Sequence, residues 1–236
     1  WLGEKNVTHV EWDGLSQVIT HCDDGTIVKS AKLLCAAGRM ANVQDLHLEN
    51  AGLQVNEMGN ISVDDMLQTT VAHIYAAGDV IGPPSLASAS MEQGRRASCN
   101  ALGIGVGPMS KMIPTGIYAI PELSAVGMTE RQARGEFGEI IIGKAKFEEI
   151  SRGQINGIRD GMLKIICDAQ GEKILGIQIV GEGATELIHI GQMAMLSNAD
   201  VDIFVESIFN FPTLAEAYRV AALAVIGQRA KHSDKY

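Results

Sequence analysis

Positive charge is scarce in this chain. Its 236 residues carry 19 Lys and Arg against 28 Asp and Glu, a net charge of −9 with neutral histidines. Phosphate backbones are held chiefly by Lys and Arg, so nucleic acid and anionic membrane surfaces are disfavoured as partners. Aromatic residues make up only 5%, too few for a platform that stacks bases. No uncharged run reaches the ~18 residues of a spanning helix. The longest, 97–110, has 14 residues and is broken by Gly103, Gly105, Gly107 and Pro108. There are four cysteines, Cys22, Cys35, Cys99 and Cys167. None forms a Cys-x-x-Cys, so neither a zinc site nor a local redox pair is encoded, and no metal is expected. No secretory signal is legible, so the expected location is cytoplasmic, with reduced thiols.

What is present is enough for a folded core. Hydrophobic residues are 46% and charged residues 20%, which excludes disorder. The length suits one large domain or two ordinary ones. Glycine, at 26 residues, exceeds the typical ~7% without a Gly-X-Y period, and fits tight turns and close backbone approaches. Trp1-Leu2-Gly3-Glu4 leads straight into strand-like sequence without an initiator methionine, and the expectation is a chain that begins inside a longer protein.

Residues 6–35 read as β-rich, with a turn at Asp23-Asp24-Gly25. The apolar run 31–37 fits a strand buried on both faces. Residues 40–70 read as loop and short helix. A second buried strand is expected over 71–77, then a break at Gly82-Pro83-Pro84 and a helix over 85–102 with Ser85 as N-cap. The glycine-rich stretch 103–108 reads as a linker. Beyond it, short strands are expected at 117–120, 123–126, 140–147, 162–167 and 174–180, the last two forming a hairpin. Thr129-Glu130-Arg131-Gln132 is a capping box. Helices are expected over 184–197, 200–207 and 213–230. Strands followed by helices read as α+β.

Chemistry concentrates at Ala76-Ala77-Gly78-Asp79. A carboxylate ending a buried strand sits at the carboxyl edge, where α/β sheets bind ligands. Gly78 permits close backbone approach. Asp79 either caps a turn there or accepts from the hydroxyls of a ribityl or ribose chain; the residues alone leave both open. The helix after Pro84 aims its N-terminus, which favours negative charge, at the same place. Thr213-Leu214-Ala215-Glu216 is a second capping box, and capping is the favoured role of Glu216. His189, beside Gly191 and Met193, reads as packed rather than ligating.

Four motifs in order carry a resemblance. Ile74-Tyr75-Ala76-Ala77-Gly78-Asp79 resembles the second flavin-binding motif of the flavoprotein pyridine nucleotide–disulfide oxidoreductase family. Gly38-Arg39-Met40-Ala41-Asn42 is similar to that family's step from its NAD(P) domain to its FAD domain. The segment from Ile113-Pro114 through Thr129-Glu130 resembles the start of its dimerisation domain, and Phe211-Pro212-Thr213-Leu214-Ala215-Glu216 a motif near its end. The resemblance implies an α/β fold: the tail of an NAD(P) domain over 1–37, the last part of an FAD domain over 38–110, and an α+β dimerisation domain, an antiparallel sheet with helices, over 111–236. It implies FAD as cofactor, with Gly78 and Asp79 at the ribityl–pyrophosphate part and the backbone at Leu86 and Ala87 under the flavin pyrimidine ring. It implies NAD and NADP as substrates and a homodimer. Neither dinucleotide glycine loop occurs in the 236 residues, so the chain alone is expected to be inactive and not to hold FAD.

One departure bears on the reaction. Where disulfide reductases of this family carry an acid/base histidine before the proline, this sequence has Phe211, which cannot shuttle a proton. No catalytic residue is thereby identified. Phe-Asn-Phe-Pro-Thr resembles the branch that moves hydride between NADPH and NAD⁺ through FAD and needs no thiol base. The alternatives are a dihydrolipoamide dehydrogenase-like enzyme with altered acid/base, or a dimerisation fragment without activity. The family's turn implies a cis bond at Phe211–Pro212 and a Phe211 side chain that points out of its own subunit.

Overall fold

The structure, a computed structural model, describes residues 1–233, with side chains described through Arg229. It divides into two compact units, residues 1–60 and residues 61 onward.

In the first unit Val7–Trp12 (β1), Val18–Cys22 (β2) and Ile27–Ser30 (β3) form an antiparallel meander in the order β1-β2-β3. The Asp-Asp-Gly turn closes as expected, with the Gly25 N–H donating to the Cys22 carbonyl at 3.1 Å. Asp23 accepts from the side-chain and backbone N–H groups of Asn6 at 2.8 and 3.2 Å, which holds its carboxyl below the usual range. The strand expected over 31–37 does not form; these residues are irregular and exposed. An apolar run becomes a buried strand only when neighbours pair along its edges, and none of the described strands pairs with this one. Two 3₁₀ turns, Gln44–Leu46 and Leu48–Ala51, follow.

The second unit opens with another departure. Residues 71–77 are not a strand. The chain turns at 71–73 and folds back on itself, with Thr69 N–H donating to the Ile74 carbonyl at 2.9 Å and Ala76 N–H to that of Leu67 at 3.1 Å. The Thr69 hydroxyl donates to the Ile74 carbonyl and accepts from the Val71 N–H. That gives the backbone a local alternative to a ladder, and only the bridge Gln68–Tyr75 remains. Ala87–Ala101 (α1) then runs as expected, but its N-cap is Leu86 rather than Ser85. The glycine-rich stretch after it is irregular. The Arg96 guanidinium donates to the carbonyls of Val106 and Gly107 at 3.1 and 2.7 Å, tying that stretch to α1.

The remainder is a five-stranded antiparallel sheet of Thr115–Ile117 (β4), Leu123–Gly127 (β5), Ile141–Lys146 (β6), Met162–Cys167 (β7) and Ile174–Val180 (β8), in the order β4-β5-β8-β7-β6. Glu130–Phe137 (α2) starts on the expected capping box, with both Thr129–Gln132 bonds made. Ser151–Asn156 (α3) was not signalled, since six residues are too few to show a helical period. Ala184–Leu196 (α4), Ile203–Glu206 (α5) and Glu216–Ser233 (α6) close the chain. Side chains alternate across the sheet. Leu163, Ile165, Ile177 and Ile179 join one buried cluster with Ile188 of α4 and Tyr218, Ala221 and Val225 of α6, while Ile166 and Leu175 meet Ala133 of α2.

Candidate functional site

Gly78, Asp79, Leu86 and Ala87 all fall at the approach to the N-terminus of α1. Gly78 has φ 86° and ψ −161°, a region essentially closed to residues with a Cβ. Its N–H donates to Oε1 of Gln93 at 2.8 Å. Asp79 then opens a 3₁₀ turn, Asp79–Ile81, with the Ile81 N–H donating to the Gly78 carbonyl at 3.0 Å. Asp79 is exposed. Gln93, which the sequence did not single out, is only 4% exposed.

No side chain caps α1. The first backbone bond inside the helix runs from Ser90 N–H to the Leu86 carbonyl at 2.9 Å, so the amides of Ala87, Ser88 and Ala89 face outward as donors. Uncapped N–H groups together with the helix dipole suit an anionic or strongly accepting partner. A cavity of about 400 Å³ opens beside this helix start, lined by Leu86, Ala87, Met91, Gly116, Tyr118 and Thr185. The segment thus offers an exposed carboxylate as acceptor, a glycine-only turn and uncapped helix-start amides as donors.

Glu216 opens α6, and Phe211 stands five residues before it. The Phe211–Pro212 bond is cis and Phe211 is 71% exposed, so the ring is not packed inside its own chain. Glu216 makes the glutamate half of the expected box, accepting from the Thr213 N–H at 3.4 Å, but the Thr213 hydroxyl turns away and donates to the Asn210 carbonyl at 2.8 Å. His189 corrects the sequence reading. It is exposed, with Nδ1 2.9 Å from Oε1 of Gln192. Among the described residues no His, Cys, Asp and Glu cluster could hold a metal, and no helix is long and apolar enough to cross a membrane. The four cysteines are unpaired with one another.

Two family models match. The pyridine nucleotide-disulphide oxidoreductase dimerisation domain covers residues 113–222, and the pyridine nucleotide-disulphide oxidoreductase model covers 3–94. The chain is 47% identical over 210 residues to the soluble pyridine nucleotide transhydrogenase of Serratia proteamaculans, covering 87% of this chain and 45% of that protein. It is 43% identical over 215 residues to the protein of the same name from Mycobacterium bovis, covering 91% and 46%. The chain thus spans about half the length of these relatives. Among solved structures it is similar to the HOCl-induced flavoprotein disulfide reductase RclA from Escherichia coli, with TM-score 0.83, 31% identity and coverage of 92% of this chain and 50% of that one. It is also similar to LpdA from Mycobacterium tuberculosis, with TM-score 0.81, 27% identity and coverage of 93% and 48%.

Proposed function

The chain belongs to the pyridine nucleotide-disulphide oxidoreductase family, and on that premise we propose that it is the C-terminal part of an FAD-dependent enzyme that moves hydride between NADPH and NAD⁺. The observation that carries this reading is Phe211. The position that serves thiol chemistry in the family holds a side chain without a titratable proton, and Glu216 is spent on a backbone cap at 3.4 Å rather than on orienting a base. The identity to soluble transhydrogenases supports the same reading. The likeness to a flavoprotein disulfide reductase favours the alternative of altered thiol chemistry, which Phe211 opposes.

In this reading residues 1–37 close the nicotinamide domain, 38–110 belong to the FAD domain and 111–236 form the dimerisation domain. Asp79 accepts from ribityl hydroxyls, and Gly78 lets the backbone come close. The first-turn amides of α1, beginning at Ala87, donate to the pyrimidine edge of the flavin, and Leu86 at the helix cap lies under the same ring. FAD, when bound, supplies a two-electron carrier that lets one nicotinamide leave before the next arrives. Phe211 provides an apolar wall that excludes water. The active form is a cytoplasmic homodimer, supported by the match to a dimerisation domain and by Ile120, Ile208 and Phe211, which stand exposed on this chain. The apolar positions Gly191 and Met195 of α4 do not serve that contact, because they are packed inside. The 236 residues alone do not retain FAD.

Light scattering and a visible spectrum of the full-length protein test this together. A dimer with a bound-flavin band that bleaches on adding NADPH supports the reading; a colourless monomer at micromolar concentration contradicts it.

A further inference from the structure

Resting on that FAD reading, we infer that Gln93 is a positioning residue for the flavin site, acting through Gly78 to set how Asp79 is presented. The buried stripe of α1 is Ala89, Gln93 and Ala97, spaced four residues apart on one helix face. Its neighbours on that stripe are alanines, and an apolar side chain would satisfy packing at the middle position equally well. A buried amide is unfavourable unless it is hydrogen-bonded, and its acceptor is used on the Gly78 N–H at 2.8 Å. Ser90, one turn earlier, backs the same loop, with Oγ 3.4 Å from where a Gly78 Cβ would stand. The loop is therefore held from α1 at the residue before Asp79, and the 3₁₀ turn Asp79–Ile81 begins from that fixed point. Gln93 itself touches no part of the ligand in this scheme. It fixes the backbone from which the carboxylate projects, and it couples that carboxylate to the helix whose first amides complete the site.

The test uses the full-length flavoprotein and four variants: Gln93→Met, which keeps shape and loses the acceptor; Gln93→Asn, whose amide is too short to reach; Gln93→Glu, which keeps an acceptor; and Asp79→Asn. FAD retention is measured by flavin fluorescence on dilution, and the visible circular dichroism of bound flavin is recorded at saturating FAD. Losing a buried hydrogen bond of this kind is expected to weaken FAD retention about tenfold in Gln93→Met and Gln93→Asn and to change the flavin dichroism, with Gln93→Glu restoring both. If Gln93→Met fails to fold, Gln93→Asn against Gln93→Glu carries the same comparison. Unchanged retention in the Gln93 variants while Asp79→Asn loses FAD overturns the inference and leaves the site standing. Unchanged dichroism with only a lower melting temperature also overturns it, since that is a structural role. Full retention in Asp79→Asn overturns the site reading and the inference with it.

Discussion

Gly191 donates its backbone N–H to the Tyr218 hydroxyl at 3.2 Å, and that hydroxyl in turn donates to the Leu187 carbonyl at 2.8 Å. One buried phenol thus stitches α6 to α4 over the sheet. Burial raises the Tyr218 hydroxyl well above its ordinary pKa, because the phenolate would have to leave water. Tyr218→Phe is expected to lower stability by about 1 kcal/mol or more. Gly191→Ala should lower it by roughly 1–3 kcal/mol through overpacking, since a Cβ there would lie 2.2 Å from Cδ1 of Ile177. Urea unfolding midpoints check both, and unchanged midpoints would show the contact to be dispensable.

Glu122 caps the start of α4. Its Oε2 accepts from the Thr185 hydroxyl at 2.7 Å and from the Thr185 N–H at 3.2 Å. The hydroxyl first, and then the N–H, hold the carboxyl below its ordinary value of 4.5. A depressed folded-state pKa means stability that is present above the unfolded value and lost as pH falls through the folded one. Glu122→Gln should therefore be less stable than the parent at pH 7, and the gap should close as pH falls below about 4.5. Thermal melts across pH 3–7 measure it, and a gap that widens in acid would refute the assignment.

The cysteines should react in a fixed order. Cys167 is 0% exposed, and its thiol is pushed up to about 12, first by burial and then by the Asp168 charge. Thiolate is the reactive form. Under native conditions at pH 8, iodoacetamide should label exposed Cys35 and leave Cys167 unmodified until denaturant is added. Peptide mass spectrometry reads the order directly, and early labelling of Cys167 would contradict the packed core around β7.

Phe211→His restores a titratable ring at an exposed position where, in the proposed reaction, no thiol waits for its proton. Hydride transfer should survive the change at close to the parental kcat. A loss of kcat at unchanged KM would show that the phenyl ring acts on the chemistry itself.

Most of the second unit's sheet was legible because its signals are local, although β4 forms at Thr115–Ile117 and not over the expected 117–120. Met162–Cys167 and Ile174–Val180 are short, largely apolar runs on either side of the Asp168–Gly171 turn, and both strands fall on the expected bounds. Residues 31–37 and 71–77 were not legible as what they are. Their apolar runs match a buried strand, but strand formation depends on neighbours far away in sequence, and at 71–77 the Thr69 hydroxyl captures the backbone first. Of the site, Gly78 and Asp79 could be found from the run that precedes them, and Leu86 and Ala87 from the resemblance. Gln93 could not, since a glutamine in a helix reads as solvated until the stripe it shares with Ala89 and Ala97 is known to be the buried one.

Thiol-independent hydride transfer is measured by a single-turnover and steady-state assay of the full-length protein with NADPH and NAD⁺, run before and after exhaustive alkylation of accessible thiols. NADH is expected to form at the expense of NADPH, at a rate that alkylation does not change. Formation of no NADH, together with NADPH-driven reduction of a disulfide that alkylation abolishes, would contradict it and restore a thiol-based reaction despite Phe211.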